Sequence, residues 1–298
     1  DLVVVVACGP KSNPLWASLS NDGVAKVWSL SPPADASTIR LEKLASDMVM
    51  MPGGRELIVC GDFPTRTWNV ASGKLVADVL PATDVRSISA DSRLLVGVDA
   101  TTTEGETAVK IWDRASGALR HVIAMPGNER PEEVRISPDG KRLVARLHDN
   151  GPMLIWDLPE QTANVPEPLR VRIRDPNVAD SRLLGVKSMA FSPDSCWLAA
   201  ACKFGVVILY NLETDQIVTL PIPSASWANQ VAFSWDSKLL ASGNDQGVVS
   251  VFDTERAEVI ASFGGHEAAI SALAFFPDAR TLAVGSLGTI RLWDLRSK

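Results

Sequence analysis

One pattern recurs seven times along the chain and limits it to a repeat architecture. Each copy has an apolar strand, a short turn with Gly, Asp or Asn, and a second strand that ends in an aromatic residue. These aromatics are Trp28, Trp68, Trp112, Trp156, Tyr210, Phe252 and Trp293. Successive aromatics are 40, 44, 44, 54, 42 and 41 residues apart. Apolar strands joined by such turns predict β-hairpins. A period of this length predicts stacked repeats that bury their faces against their neighbours.

Two more strands flank each predicted hairpin. A segment ending in a tight turn precedes it, as in "RISPDGKR" from Arg135 and "AFSPDSCW" from Ala190. An apolar segment follows most hairpins, although the first copy, near Thr38, is weak. Pro, Asp and Gly at these turn positions favour the backbone angles of a tight turn. The repeating unit is therefore predicted to have four antiparallel strands, here called a to d in chain order.

Three copies carry the dipeptide "WD", as Trp112-Asp113, Trp156-Asp157 and Trp293-Asp294. In this dipeptide, in its period and in its strand count the chain resembles the WD40-repeat family over nearly its whole length. The resemblance implies an all-β fold, a seven-bladed β-propeller of four-stranded antiparallel blades, with strand a innermost. We expect one domain over residues 1–298, with blades at 1–46, 47–82, 83–127, 128–180, 181–224, 225–265 and 266–298.

The resemblance has gaps at the polar positions. Well-formed repeats of this family carry Gly-His before strand a and Asp in the b–c turn. The His and the Asp form a buried network of hydrogen bonds with a Ser or Thr and with the Trp of strand c. Here Gly-His occurs once, at Gly265-His266, and its own blade lacks the turn Asp. Another blade has Ser242 and Asp245 but Phe252 instead of Trp. Hydrophobic packing is therefore expected to supply most of the stability.

The seventh copy ends, at "GTIRLWDLRSK", before a fourth strand. The segment "LVVVVA" (2–7) stands where strand a of the first blade is expected, so it is not the missing strand. In this family an N-terminal strand often seals the last blade. We therefore expect residues before Asp1 to supply the outer strand, as part of a longer polypeptide. The alternative is a three-stranded last blade with an exposed edge, which natural proteins usually avoid.

Charge and composition exclude several classes of partner. The formal net charge of the 298 residues is -6, which disfavours binding to a nucleic-acid backbone. No apolar run is long enough to span a membrane. The four cysteines, Cys8, Cys60, Cys196 and Cys202, form no C-x-x-C pair and are interpreted as small core residues in a reducing compartment. We therefore expect a cytoplasmic domain, monomeric, with neither nucleic acid nor membrane as partner.

No set of residues typical of an active site is present. The three histidines, His121, His148 and His266, are far apart in blade order, and no hydrolase or phosphate-binding motif occurs. We predict no enzymatic activity, no catalytic residues, no cofactor and no metal. The alternative is a propeller enzyme or a ligand- or metal-binding propeller that uses carboxylates at the channel mouth. The candidates at the starts of the a strands are Asp47, Asp84, Glu132 and Glu133.

The predicted function is a non-enzymatic platform for protein–protein interaction. Its candidate partner-binding residues are Phe204 in a b–c turn and Trp227, Arg130 and His266 in d–a loops, all on one predicted face. Aromatic and Arg side chains dominate the binding energy of interfaces. Two alternatives stay open, that Trp227 fills a gap between blades and that His266 is structural. A competing patch on the opposite face contains Trp235 and Phe276.

Overall fold

The computed structural model describes most of the chain. The described residues are 3–8, 15–20, 22–29, 37–40, 45–51, 55–61, 63–78, 84–99, 107–147, 153–160, 169–171, 185–222 and 226–296. They form two compact units, one of residues 1–84 and 229–298 (unit 1), the other of residues 85–228 (unit 2).

Unit 1 contains four antiparallel sheets, whose strands pair in chain order. Sheet 1 has β1 (Val3–Cys8), β2 (Leu15–Ser20), β3 (Val24–Ser29) and β4 (Ser37–Arg40), and sheet 2 has β5 (Ala45–Met50), β6 (Glu56–Gly61), β7 (Phe63–Asn69) and β8 (Leu75–Asp78). Sheet 6 has β21 (Ala228–Phe233), β22 (Leu239–Asn244), β23 (Val249–Asp253) and β24 (Glu258–Phe263), and sheet 7 has β25 (Ala272–Phe275), β26 (Thr281–Ser286) and β27 (Thr289–Asp294).

Unit 2 contains three antiparallel sheets with the same strand order. Sheet 3 has β9 (Asp84–Ile88), β10 (Leu94–Asp99), β11 (Ala108–Asp113) and β12 (Leu119–Ala124), and a short 3₁₀ turn (Pro126–Asn128) follows it. Sheet 4 has β13 (Glu133–Ile136), β14 (Arg142–Arg146), β15 (Met153–Asp157) and β16 (Leu169–Val171), and sheet 5 has β17 (Val186–Phe191), β18 (Trp197–Cys202), β19 (Val206–Asn211) and β20 (Ile217–Pro221).

This architecture confirms the predicted fold class, all-β with seven antiparallel sheets. All seven repeat aromatics lie on the third strand of their sheet, as expected. The segment 3–8 is the first strand of sheet 1, which confirms its assignment as strand a. Strand β5 begins at Ala45, two residues before the expected start of the second blade at 47. Sheet 7 has three strands, and no further described strand pairs with β27.

The core lies between neighbouring sheets of each unit. In unit 2, Val144 and Met153 of sheet 4 pack with Met189 and Ile208 of sheet 5. In unit 1, sheet 7 packs against sheet 1 through one aromatic cluster, in which Trp16 stacks on Trp28 and meets Phe276 edge-on. Within each unit, neighbouring sheets thus bury apolar side chains against each other, as the repeat pattern predicts.

The a–b turn explains the recurring Ser-x-Asp marker. In sheet 4, the Ser137 hydroxyl donates to Asp139 Oδ1 at 2.6 Å and accepts the Arg142 N–H at 2.8 Å. Asp139 Oδ1 also accepts the Lys141 N–H at 3.1 Å. The same three bonds recur in sheets 3, 5 and 6, at Ser89, Ser192 and Ser234. The Ser and Asp side chains of the marker therefore accept backbone N–H groups of their own turn.

The fourth residue of this turn has a left-handed backbone in five sheets. The φ angles are 62° at Ser92, 73° at Gly140, 63° at Ser195, 61° at Ser237 and 55° at Ala279. Only Gly adopts this conformation without a steric penalty from Cβ. Four of the five turns therefore carry a small, local conformational cost.

We expect Ala279→Gly to stabilise the protein by about 0.5–1 kcal/mol, because it removes the left-handed strain from a turn whose side chain is a methyl group. The free energy of unfolding from urea titrations measures the effect. The control is Gly140→Ala at the equivalent position of sheet 4. Its Cβ would lie 3.0 Å from Leu94 Cδ1, so this change is expected to destabilise. A loss of stability in Ala279→Gly would contradict the account.

The Asp of the "WD" dipeptide has a structural role in the turn after strand c. Asp113 Oδ1 accepts the Ser116 N–H at 3.1 Å and the Ser116 hydroxyl at 2.9 Å, while Arg120 and Arg93 pair with Oδ2. The Ser116 hydrogen bonds, followed by that from Arg120, hold the pKa of Asp113 below its usual range. Asn69, Asn211 and Asp253 accept turn N–H groups in the same way.

Candidate functional site

The b–c turn of sheet 5 holds an exposed aromatic on a fixed backbone. The turn comprises Lys203, Phe204 and Gly205. The Lys203 N–H donates to Gly185 O at 2.9 Å, and Gly205 O accepts the Ile222 N–H at 3.0 Å. One bond ties the turn to the start of strand a and the other to the end of strand d. The position of the turn is therefore set by both flanks of the sheet.

Phe204 is an unusual residue for this turn. Its φ is 64° and that of Gly205 is 73°, and its side chain is 59% exposed. Two successive left-handed residues are typical of a turn that favours Asn-Gly or Asp-Gly, and a bulky residue there is an outlier. A large exposed side chain in a strained conformation is not explained by folding stability. Such outliers concentrate at functional sites.

Trp227 lies beside this turn, between the buried residues Ser226 and Ala228. Its ring is 43% exposed. The Lys187 Nζ lies 5.6 Å from the ring centroid and the Lys203 Nζ lies 5.3 Å from it, both within cation–π range. We call Trp227, Lys187, Lys203 and the adjoining Phe204 the Trp227 cluster. All four belong to unit 2.

Lys187 enters the cluster through a β-bulge. Val186 pairs with Cys202 and Ser188 with Ala201, so Lys187 is the extra residue on β17. A bulge redirects the side chain of the strand on which it occurs. Similar irregularities mark the first strands of sheets 1 and 2, so the bulge belongs to the fold. Sheet 5 differs in having a Lys at the bulge and a Trp within reach.

The other two predicted partner-binding residues take no part in the contacts described for the Trp227 ring. Arg130 is exposed on the loop before β13 in unit 2, and none of the contacts described for the Trp227 ring involves it. His266 in unit 1 is 7% exposed, so its ring is not the exposed contact that its loop position suggested. Neither of its ring nitrogens has a hydrogen-bond partner among the described residues. The structural alternative for His266 fits this burial better.

In the competing patch of Trp235 and Phe276, one of the two aromatic side chains is buried. Phe276 is 1% exposed and packs against Trp16. Trp235 is 40% exposed, but its Nε1–H donates to Phe275 O at 3.1 Å and joins sheet 6 to sheet 7. Phe276 occupies the turn position held elsewhere by Ser89, Ser137, Ser192 and Ser234, all of which are buried. Its burial therefore follows from the position and not from the residue type.

The hydrogen-bonded set that the family resemblance implies is largely missing, as expected. Trp28 Nε1–H donates to Ser18 Oγ at 3.2 Å in sheet 1. Among the described residues, Trp68 Nε1, Trp293 Nε1 and Ser242 Oγ have no such partner. Burial of apolar side chains is the stronger common feature of the sheets.

The buried histidines connect stability to pH. Burial lowers the pKa of His266, with a smaller effect from Arg291, and burial followed by Arg120 lowers the pKa of His121. His121, on β12, is also buried. The unfolded chain therefore binds protons at about pH 6.5, where the folded chain does not. The contribution of the two uncharged histidines to the free energy of unfolding is therefore fully present above about pH 6.5. It decreases as the pH falls below that value.

We expect the free energy of unfolding to be lower at about pH 5.5 than at about pH 7.5. The double variant His121→Gln/His266→Gln should show a smaller decrease across the same window, since it has lost both groups. Urea titrations at the two pH values measure this. The carboxylates with lowered pKa values, such as Asp91 and Asp236, titrate well below the window. An equal decrease in the double variant would contradict the assignment.

The carboxylates proposed for the channel mouth are matched by arginines where their side chains are described. Arg146 pairs with Glu132 and lies 3.8 Å from Glu133, and Arg135 pairs with Glu133 at 3.1 Å. In the described part of the chain, no cluster of His, Cys, Asp and Glu could hold a metal ion. The side chains of Asp47 and Asp84 lie outside the description.

The two described cysteines have the character of packing residues. Burial raises the pKa of Cys202, and burial followed by Asp194 raises that of Cys196, so neither thiol is activated. Both are free thiols. The side chains of Cys8 and Cys60 lie outside the description. Over the described ranges, the protein has no helix with the length and apolar character that crossing a bilayer requires.

A family model described as "WD domain, G-beta repeat" matches residues 181–210 and 257–294. The first match covers β17, β18 and most of β19, and the second runs from β24 through the three strands of sheet 7. No curated protein matches the chain. Together with seven antiparallel sheets that each carry an aromatic on the third strand, these matches support the assignment of the chain to the WD40-repeat family.

Proposed function

We propose that this chain is a non-enzymatic platform for protein–protein interaction and that the Trp227 cluster is its principal contact surface. WD40 repeats are generally protein-interaction modules. The observation that carries the proposal is the exposed Phe204 at φ 64°, next in the chain to Lys203, whose Nζ lies 5.3 Å from the ring centroid of the exposed Trp227. Partly exposed aromatics on a rigid support are typical of the central residues of an interface.

The role of Trp227 as a filler between blades is the less favoured alternative. A filler is expected to be buried, whereas 43% of this side chain is exposed. Its neighbours Lys187 and Lys203 cover part of the ring with charged groups that also need water. The cluster is thus a mixed aromatic and cationic surface that a protein partner can cover.

Arg130 is a peripheral member of the proposed surface. It is exposed and lies on a loop that connects sheet 3 to sheet 4 in unit 2. A rim charge affects the rate of association more than the affinity. His266 is not included, because its ring is buried.

The turn offers a substitution that separates binding from stability. Phe204→Asn places the residue that the turn favours at φ 64°, so the folded state should be retained or slightly stabilised. The same change removes the exposed aromatic. A pull-down with the wild-type protein, followed by mass spectrometry, identifies the partners, which are then re-tested as purified proteins. We expect Phe204→Asn and Trp227→Ala each to lose binding to these partners.

The control is Trp235→Ala, which removes a tryptophan of similar exposure in unit 1. It should leave binding unchanged. Unfolding titrations establish that all three variants are folded. Loss of binding in Trp235→Ala alone would place the contact surface elsewhere, and retention of binding in both cluster variants would refute the proposed surface.

We further propose that residues 1–298 act as one domain of a longer, multidomain polypeptide in the cytoplasm. No strand of the described residues pairs with the outer edge of β27, and this supports the first part, because exposed strand edges are usually covered. The free thiols of Cys196 and Cys202 support a reducing compartment.

A further inference from the structure

The third strand of sheet 7 is more exposed than its counterparts in other sheets. In β11, β15, β19 and β23, each covered by a fourth strand, nearly every residue is buried or half-buried. In β27 four of the six residues are exposed, and no strand of the described residues pairs with its outer edge. Its aromatic, Trp293, is only partly buried, whereas the aromatics of those four strands are 0–4% exposed. The outer edge of β27 is therefore open to a further strand.

The neighbouring sheet 6 shows the same open place from its own side. Phe263 on β24 stacks on Trp293 with the ring centroids 4.4 Å apart, yet it is only partly buried. The residues at the equivalent position of three other fourth strands, Ile39, Ile123 and Leu220, are 1–4% exposed. Apolar surface of both sheets is therefore exposed at the place that a fourth strand of sheet 7 would cover.

The other fourth strands show which residues such a strand needs. In the five sheets for which the pair is described, the residue opposite the position of Ile290 is apolar. These residues are Ile39, Ile123, Val171, Leu220 and Phe263. Opposite the position of Arg291, four of the five strands carry a polar or charged residue, namely Thr38, Arg170, Thr219 and Ser262. Directly opposite side chains are the unit of contact between strands, so the same alternation is expected of a strand on β27.

A second copy of this chain does not satisfy this requirement. Antiparallel pairing of two β27 strands that sets Leu292 opposite Ile290 also sets the two Arg291 side chains opposite each other. Like charges directly opposite are destabilising, and a shift of one residue turns the apolar side chains to the other face. Arg291 donates to Gly265 O, and a guanidinium has further N–H groups for a carboxylate. The strand that suits this edge therefore has a different sequence, with an acidic residue opposite Arg291.

We propose that the outer edge of β27 accepts an extended segment of another protein as the fourth strand of sheet 7. The segment carries an acidic residue opposite Arg291, between apolar residues opposite Leu292 and Ile290. In this mode of recognition, main-chain hydrogen bonds supply affinity and alternate side chains supply specificity. The inference rests on the proposed interaction function, to which it adds a second surface. It does not depend on the Trp227 cluster, because β27 belongs to unit 1 and the cluster to unit 2.

Fluorescence anisotropy with defined peptides tests the inference on residues 1–298. The probe is a short fluorescein-labelled peptide with Val-Glu-Ile at its centre and Thr on both sides, so that antiparallel pairing sets the Glu opposite Arg291. We expect it to bind at least about tenfold more tightly than a peptide with the order Val-Ile-Glu, whose apolar side chains point to opposite faces. A Val-Lys-Ile peptide should bind about threefold or more weakly than the probe, because it sets like charges opposite each other.

Matched variants separate this edge from other exposed apolar surface. Leu292 on β27 is 45% exposed, and Leu292→Lys should weaken binding of the probe about tenfold. The control Leu119→Lys makes the same change on β12, at a side chain that is 46% exposed, and should leave binding within about twofold of the wild type. Arg291→Glu should reverse the preference, so that the Val-Lys-Ile peptide binds more tightly than the probe. Urea titrations establish that the variants are folded.

Amide hydrogen exchange locates the bound peptide. The amides of Thr289–Asp294 should exchange more slowly when the probe is bound, since pairing along the edge engages backbone groups of β27. Binding without protection of these amides, equal binding of the Val-Glu-Ile and Val-Ile-Glu peptides, or equal losses in the two Lys variants would each overturn the inference.

Two further measurements distinguish the other possible occupants. A dimer in sedimentation equilibrium whose β27 amides are protected without any peptide would assign the edge to a second copy and overturn the inference. The titration is repeated with the longer polypeptide proposed above. Retained binding of the probe supports a segment of another protein, whereas binding by residues 1–298 alone would show that the polypeptide covers its own edge. If no peptide binds while Phe204→Asn and Trp227→Ala lose their partners, this inference fails and the proposed function stands.

Discussion

Replacing Gly247 with alanine is expected to lower the free energy of unfolding by about 3 kcal/mol or more, because the change adds a steric clash to a left-handed backbone. The φ of Gly247 is 76°, and a Cβ there would lie 2.2 Å from the carbonyl oxygen of His266 and 3.0 Å from that of Ala268. These contacts involve backbone atoms and not the ends of flexible side chains. Urea titrations followed by circular dichroism measure the loss.

The segment against which Gly247 packs cannot move away easily. The Ser286 hydroxyl donates to Ala268 O at 3.0 Å, and the Ile270 N–H donates to Asn244 O at 2.9 Å. The turn itself is fixed by Asn244, whose Oδ1 accepts the N–H groups of Gln246 and Val248. Moving either segment to relieve the clash would therefore break hydrogen bonds, either those of the 268–270 segment or those within the turn.

Gly73→Ala is the matched control for this variant. Gly73 has φ 64°, and a Cβ there would meet nothing within 4 Å. Its substitution is expected to cost only about 1 kcal/mol, the conformational part of the effect. Equal decreases in the free energy of unfolding of the two variants would show that the close approach of Gly247 to His266 does not contribute to the effect.

Phe252→Ala should destabilise the protein by about 3–5 kcal/mol, since it leaves a cavity in the core of sheet 6. The side chain is 0% exposed. Its strand, β23, pairs with β22 through Leu240 and with β24 through Val259, so strands cover both edges. The free energy of unfolding from urea titrations measures the loss.

The control makes the same chemical change at an exposed position. Phe204→Ala removes a side chain that is 59% exposed and is expected to change stability by no more than about 0.5 kcal/mol. Comparable effects at the two positions would contradict the burial argument. The same control shows whether variants of the Trp227 cluster are folded, which the binding experiments require.

The repeating architecture was predictable because its signals are local. The apolar strands, the turn markers and the aromatic on strand c recur in each copy, and the structure places all seven aromatics on third strands. The Ser-x-Asp turns satisfy their polar groups within six residues, as at Ser137 and Arg142. Patterns that depend only on neighbouring residues can be recognised in the sequence.

The candidate site was only partly predictable. Residue type and loop position indicated Phe204 and Trp227, both of which are exposed. Lys203 was available from its place next to Phe204, although its proximity to Trp227 was not. The same reasoning treated His266 and Phe276 as exposed, and both are buried. Alignment of the repeats places Phe276 at the Ser position of the turn marker, but the structure was needed to show that this position is buried.

The sequence by itself determined the number of repeats, the order of strands and the chemistry of the turns, since these follow from periodicity and local hydrogen bonding. Only the tertiary structure decided which loop side chains are buried and which meet. Lys187, Lys203 and Trp227 are up to 40 residues apart in the chain. They converge because the start of the first strand, the b–c turn and the segment after the fourth strand lie at the same end of sheet 5. His266 is buried, and the Gly247 turn packs directly on its backbone. Such contacts depend on how separate segments pack together, and no local pattern encodes that packing.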